Sequence, residues 1–453
     1  MRVACFSSPT QCRYLLVFES ALNRIVMKIR AVVGLIPIRA VQSSAQLLGG
    51  RAFPLIGALL AGILVARTEG PSSFGLYTAS FALCSLTVGG ATSGLPILLL
   101  RRSAEGNIDS STLKRAVLYQ LGASCVAIPA SAILGSVIFD GSRGFYATLF
   151  AATYFAVTNL ATMGQNVHGG RRHFWRVAGA DMVAGALYPA LTALALALGY
   201  GVPGALLALA VAAAVSCLVA WTALPTFPMA GRASSLKVLD GMTFTAFGLA
   251  KAGYGRLDAV ILSIVAGPAV VGYYSAAYRL LGPFVLGGAA FATVYFTHLS
   301  HAVSDPERWM RVRRHGALLL FMAAFIGMVS VSLVVPKVVD VLYGEGFSPA
   351  IAPARILMLS IIPWALYWPR LLELASVHQE TRATVSLTIG MVVDVVLVVS
   401  IGARFGAVAA AWAWVASEFA TLLTLSLLSR GIDERLSAQH ARPASPAQSE
   451  PTC

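Results

Sequence analysis

One short motif occurs twice in this chain. Gly70, Pro71, Gly75, Tyr77 and Ala79 recur as Gly267, Pro268, Gly272, Tyr274 and Ala276, at a constant offset of 197 residues in a chain of 453. The flanks agree, with Ile63-Leu64-Val65 ahead of the first copy and Val260-Ile261-Leu262 ahead of the second. Each copy stands between long apolar segments, so the chain must fold as two equivalent halves joined in tandem within a membrane. Pro and Tyr are scarce and carry most of the match, whereas Ala is common and carries little.

Hydrophobic residues make up 57% of the chain and charged residues 11%, against roughly 25% charge in a soluble domain. A run of about 20 apolar residues spans the hydrocarbon core as a helix. Twelve such runs lie near residues 45–66, 74–100, 115–139, 145–165, 177–198, 203–224, 243–266, 272–299, 315–336, 353–370, 384–402 and 406–428. The predicted fold is therefore all-α and integral to the membrane, about twelve transmembrane helices in two six-helix bundles around a central cavity. A net charge of +14 would suit nucleic acid in a soluble protein. In a polytopic one, Lys and Arg collect at the cytoplasmic ends for topological reasons, and nucleic acid is set aside.

Placing both termini in the cytoplasm leaves Arg67, Arg143, Lys337, Arg355 and Arg404 outside and puts fifteen loop cations, from Arg101 to Arg382, inside. That excess supports the orientation. Six spans separate the two Gly-Pro copies, so both face the same way and the halves are parallel repeats, with a substrate path expected between them. The expected organisation is a cytoplasmic N-terminal segment over 1–44, one bundle over 45–224, a linker over 225–242, a second bundle over 243–428 and a disordered tail over 429–453. The linker is marked by Pro225, Pro228, Gly231 and Ser234. The tail is charged and rich in Pro, Ser, Ala and Gln. Residues 14–18 are a short apolar patch broken by Glu19 and lacking a small-residue cleavage site, so a signal peptide is not expected there, and Met27 offers an alternative start. The six cysteines show neither zinc spacing nor a disulfide framework.

Each Gly-Pro pair ends one span and opens the next at the outer surface, since Pro has no N–H to continue the first helix. Tyr77 and Tyr274 then fall one turn into the following span, at the depth of the aromatic belt. These motifs report architecture rather than chemistry. A weaker repeat pairs Val167-His168 and Arg172 with Val377-His378 and Arg382, in loops that positive-inside topology explains. Spans 6 and 12 open alike, with Gly204-Ala205 and Gly406-Ala407.

Ionisable residues inside spans cost about 2.5 to 3.5 kcal/mol each on insertion scales and normally face a cavity or a partner. They are Arg51 in span 1, Asp181 in span 5, Lys251, Arg256 and Asp258 in span 7, Arg279 in span 8, Asp394 in span 11 and Glu418 in span 12. Asp258 and Arg279 reach roughly 10 to 14 Å below the second Gly-Pro turn at 1.5 Å per residue. One reading makes them a structural ion pair across the hairpin; in the other they line the path. Lys251 lies on the face of Asp258, two turns deeper. Arg51, about 9 Å from the cytoplasmic end, either lines the cavity or snorkels to the interface. Where the second half has Asp258 and Arg279, the first has Ala61 and Ala82, so any charged site is asymmetric.

The stretches Leu64 to Ala79 (LVARTEGPSSFGLYTA) and Arg256 to Leu281 (RLDAVILSIVAGPAVVGYYSAAYRLL) resemble bacterial polysaccharide biosynthesis and export proteins, the Wzx-type O-antigen flippases. These belong to the MOP superfamily, with MATE exporters and the peptidoglycan-precursor flippase MurJ. The resemblance covers about residues 43 to 428. It implies a MATE-like fold and translocation of a lipid-linked oligosaccharide, carried on an isoprenoid pyrophosphate, across the bacterial inner membrane by alternating access. It implies that Arg51, Lys251, Arg256, Asp258 and Arg279 meet the substrate, and that Asp181, Asp394 and Glu418 are available for ion coupling. Polysaccharide polymerase and export machinery would be the protein partners.

Two other classes compete. A MATE-type antiporter of drugs or organic cations would use the acidic groups Asp181, Asp394 and Glu418. A membrane polymerase or ligase would need a sizeable external loop, and the longest here, Lys337 to Ala354, is short. The chain shows no metal cluster, phosphate-binding Gly loop or nucleophile motif, so neither a cofactor nor a metal is expected and a transporter is favoured over an enzyme.

Overall fold

The computed structural model describes residues 38–89, 94–104, 108, 110–139, 141–171, 173–222, 253, 255–302, 306–376 and 379–429. The expected linker, most of the N-terminal and C-terminal segments, Lys251, Arg172, Val377 and His378 lie outside these residues, as does the side chain of Arg51. Among the described residues every regular element is helical.

Six continuous helical stretches are long and apolar enough to cross a membrane, and the bent pair Glu345–Met358 and Ile361–Leu374 makes a seventh crossing. Two of the six are hairpins in disguise. Ile38–Cys84 is interrupted at Gly70, with φ 77 and ψ −179, and Glu380–Leu428 is interrupted at Gly406, with φ 56. At 1.5 Å per residue a stretch of 49 residues would run about 70 Å, more than twice the hydrocarbon thickness. Counted in this way, the first half comprises α1 (38–69), α2 (71–89, ending in a π-turn at Ser85–Gly89, and then Gly94–Ala104), α3 (Ser110–Ile138), α4 (Gly141–Gly170), α5 (Phe174–Ala197) and α6 (Gly201–Thr222). The second comprises α7 (Leu257–Ala266), α8 (Pro268–Arg279, then Gly282–Ala302), α9 (Pro306–Tyr343), α10 (345–376), α11 (380–405) and α12 (407–428). Among the described residues this matches the roughly twelve helices expected, six in each half, with α7 described over ten residues only. The tenth is longer than the run at 353–370 and bends by 45° at a break before Ile361.

The duplicated motif has one conformation in both copies. Gly70 and Gly267 hold positive φ, 77 and 85, where a side chain would be strained. Pro71 and Pro268 follow, and Pro268 occupies the first helical position of α8, which needs no N–H donor. The repeat extends inward: α8 breaks after Arg279, and α2 passes into its π-turn after Cys84, the matching depth. The other proposed match is looser. The turn before α6 uses positive φ at Gly199 and Gly201, whereas Gly406 itself turns ahead of α12, so Gly204 and Gly406 are not equivalent.

Small residues let the helices approach as the bilayer requires. Gly185 of α5 has backbone atoms of Phe53 and Pro54 in α1 within 2.9 Å of where its β-carbon would stand. Hydroxyls inside helices bond back to the preceding turn, as Thr78 Oγ1 does to the Phe74 carbonyl at 3.0 Å and Thr153 Oγ1 to that of Leu149 at 2.8 Å. Large apolar side chains such as Val126, Val137 and Leu333 point outward, a surface that only lipid covers at low cost.

Candidate functional site

The polar groups divide between a seam, where the halves meet, and the interior of the second half. On α2, Phe74, Tyr77 and Phe81 stand at i, i+3 and i+7 and therefore share one helix face. Their rings run in file, Phe74 to Tyr77 at 6.2 Å and Tyr77 to Phe81 at 6.4 Å. Phe81 continues onto Tyr154 at 5.3 Å and Phe155 at 4.7 Å from α4, and Tyr154 meets Tyr188 of α5 at 6.0 Å. The first half thus presents an aromatic strip.

Two guanidinium groups of the second half rest on it. Arg279 holds its Cζ 4.8 Å from the Phe74 ring and 5.8 Å from that of Tyr77, and Arg256 lies 5.8 Å from Phe81. Cation–π contacts of this kind contribute about 0.5 to 2 kcal/mol. Arg279 reaches so far because α1 carries Gly62 opposite it; a β-carbon there would run into the guanidinium. Its Nη1 is buried and has no hydrogen-bond partner among the described residues. A buried cationic donor left open in this way is suited to an anionic oxygen. Arg279 is also the last residue of the half-helix Pro268–Arg279, where the helix dipole favours positive charge.

Asp258 does not pair with Arg279. Its carboxylate accepts hydrogen bonds from the Tyr274 hydroxyl and from the Ala259 N–H, while Arg279 turns the opposite way, across the seam. Equal depth on neighbouring helices did not make the two side chains face each other. Tyr274, 1% exposed, and Tyr77, 2% exposed, are likewise not belt residues: both are buried, one against Asp258 and one in the strip. Asp258 lies instead within electrostatic reach of Asp394 on α11, which also feels Glu418 on α12. All three are buried. Tyr278, packed edge-on to Trp414 at 5.2 Å, borders the group. Asp394 Oδ1 has no hydrogen-bond partner among the described residues. Asp181 stands apart in the first half, accepting a 2.8 Å bond from Gln165 Nε2. Among the described residues no three His, Cys, Asp or Glu side chains converge as metal ligands would.

Of the residues singled out in the sequence, Arg256 and Arg279 come together at the seam, and Asp258, Asp394 and Glu418 come together inside the second half. The aromatic strip and Gly62 were missed, although the spacing of Phe74, Tyr77 and Phe81 was there to be read.

The seam is shut at the Gly-Pro end. Arg67 Nε donates to the Leu342 carbonyl at 3.0 Å, and its Nη2 donates to that of Val341, so a cation of α1 caps the end of α9. Phe347 packs against Phe74 at 5.8 Å, Tyr343 at 5.3 Å and Tyr273 at 6.1 Å, closing both halves over the arginines.

A family model described as polysaccharide biosynthesis protein matches residues 64–352. No curated protein matches in sequence. Among solved structures, an inward-facing multidrug resistance MATE family transporter of the MOP superfamily superposes with a TM-score of 0.72 at 16% identity, covering 85% of this chain and 96% of its own. The lipid II flippase MurJ in an inward closed conformation gives 0.67 at 14%, covering 88% and 90%. A MOP superfamily transporter from Pyrococcus furiosus gives 0.63 at 16%, covering 88% and 96%. The fold is the one that these solved transporters share.

Proposed function

The chain belongs to the polysaccharide biosynthesis protein family, and from that premise we propose that it is a flippase for a lipid-linked oligosaccharide. The carrying observation is the seam, where Arg256 and Arg279 of one half stand over an aromatic strip of the other, with a guanidinium nitrogen left open. An isoprenoid pyrophosphate offers anionic oxygens to the arginines, and sugar rings stack on aromatic faces. Neither the charge nor the hydroxyls of such a headgroup cross hydrocarbon unaided. The lipid tail would remain in the bilayer while the headgroup passes between the halves.

With the basic loops in the cytoplasm of a bacterial cell, the closed Gly-Pro end faces outward. The headgroup enters from the inner leaflet, and release requires the Gly-Pro end to part while the other end closes. Arg51 and Lys251 would add positive charge at greater depth on the cytoplasmic side. Asp394 and Glu418, together with Asp258, are the groups proposed to couple this cycle to protons or a monovalent cation; Asp181 lies too far into the other half to join them. Polymerase and export machinery would take the product outside.

A second reading, a cation-coupled antiporter of the MATE type, is favoured by the same carboxyl group of three. Deleting the gene in its host and assaying lipid-linked intermediates with surface glycan separates the readings. The flippase reading expects intact repeat units held on the inner leaflet, surface glycan lost, and recovery with the wild-type gene but not with Arg279→Gln. Normal glycan with raised sensitivity to cationic drugs supports the antiporter. Repeat units already outside but unpolymerised would make the protein a polymerase.

A further inference from the structure

Away from the seam, the basic ends of α9 and α10 border an open cavity of about 370 Å³ to which the first half contributes no lining residue. Met310, Arg313 and Arg314 stand at i, i+3 and i+4 on α9, and Leu366, Arg370 and Glu373 at i, i+4 and i+7 on α10, so each helix turns one face to the cavity. The charges are not balanced. Glu373 is spent locally: it pairs with Arg313 at 3.1 Å and accepts from Tyr295 Oη at 2.9 Å. Arg370 gives one donor to Ser429 Oγ at 3.0 Å and keeps the rest of its fork. Arg314 is exposed and enters no ion pair among the described residues. Two positive charges are thus left facing the cavity.

Its depth suits a headgroup. α9 has 38 residues, about 57 Å of helix against a hydrocarbon core of roughly 30 Å, so its first turns stand beyond the core. Beyond the arginines the same face of α9 continues with Phe321 and Phe325 (43% exposed), flanked by Leu318 (57%), toward the membrane centre. A cationic cup with an apolar trail below it has the form of a lipid site rather than of a site for a free anion.

We propose that this cavity holds the phosphodiester headgroup of an acidic phospholipid from the leaflet at the basic end, with Arg314 and Arg370 as its ligands and Arg313 held in place by Glu373. The lipid would brace α9 against α10 at the end that must move during transport. The test uses the full-length protein in detergent, titrated with phosphatidylglycerol and phosphatidylcholine and read by native mass spectrometry. Phosphatidylglycerol should bind more tightly than phosphatidylcholine. The double variant Arg314→Gln/Arg370→Gln should lose about tenfold or more of that affinity, at about 1 kcal/mol per cation, with phosphatidylcholine binding unchanged. If the double variant does not fold, Arg314→Gln alone, on an exposed residue, carries the test with an expected loss of about fivefold. Equal phosphatidylglycerol binding by wild type and variant would overturn the proposal. So would displacement of the lipid by inorganic phosphate, which would make this a free-anion site, or tighter binding of an isoprenoid pyrophosphate, which would assign it to the transported lipid.

Discussion

Gly75 of α2 and Gly272 of α8 pack backbone to backbone across the seam: a β-carbon on Gly75 would strike the Pro268 carbonyl and stand 3.0 Å from Gly272 N, and one on Gly272 would strike the Pro71 carbonyl and stand 3.3 Å from Gly75 N. The contact is reciprocal, as a twofold relation between repeats demands. Each copy of the duplicated motif is therefore the other's partner, and the two glycines bring the halves into backbone contact at the Gly-Pro end.

A side chain at either glycine must push the halves apart, because the obstacle is backbone and cannot swing away. Overpacking of this kind costs about 1 to 3 kcal/mol, enough to shift a two-state opening by roughly fivefold to 150-fold. With native cysteines replaced and spin labels at Ser72 and Ala269, Gly75→Val and Gly272→Val should lengthen the label distance relative to the parent. An unchanged distance distribution would mean that this contact does not set the closed state.

Gly62 and Arg279 form a different kind of pair, in which the obstacle is a flexible side chain. Gly62→Ala should leave the fold intact yet displace the guanidinium from the Phe74 ring. In vesicles, flipping of a fluorescent lipid-linked oligosaccharide should fall about tenfold in Gly62→Ala and in Arg279→Gln alike. The double variant should be no worse than either, since both remove one interaction. Additive losses would separate the two residues and refute the cradle.

How much of this was legible follows from the range of each interaction. The apolar helices and the two Gly-Pro turns are local: apolar length and backbone conformation are written in adjacent residues, and positive φ at Gly70 and Gly267 is what those glycines announced. The gathering of Asp258 with Asp394 and Glu418 was half legible, because buried charge in a span demands company but does not name it. Arg279 shows the limit. Depth along a helix can be counted, but its rotation is set by packing: matching depth allowed Arg279 to pair with Asp258 or to line the path, and the guanidinium lies on Phe74, 205 residues away in sequence. Gly62 carried no signal of its own, since a glycine in a membrane helix is ordinary until its neighbour is known.

Arg67 is exposed and holds the end of α9 by hydrogen bonds to two carbonyls. In that setting the latch contributes about 1 kcal/mol or less, so Arg67→Gln should leave thermal stability nearly unchanged while raising the open population several-fold. A membrane-impermeant thiol reagent supplied outside and directed at a cysteine replacing Tyr343, which is 3% exposed, should react faster in the Arg67→Gln background. No gain in rate would show that the aromatic cluster around Phe347 keeps this end shut by itself.

The carboxyl group of three in the second half should govern coupling rather than substrate binding, because Asp394 and Glu418 are buried inside that half and Asp258, although within reach of Arg256, is held by Tyr274. Asp394→Asn keeps the shape of the side chain but removes the charge, and Asp394 Oδ1 leaves no hydrogen-bond partner behind among the described residues, so the fold should tolerate the change. Tyr274→Phe instead takes from Asp258 the phenol that satisfies it, and should cost about 1 to 3 kcal/mol of stability. In vesicles, wild-type flipping should respond to an imposed proton or sodium gradient, whereas Asp394→Asn should flip at a rate indifferent to either, with affinity for the lipid-linked oligosaccharide within about twofold of wild type. An Asp394→Asn protein that still follows the gradient would exclude this group as the coupling site, and one that loses substrate affinity instead would move the carboxyls into the binding path.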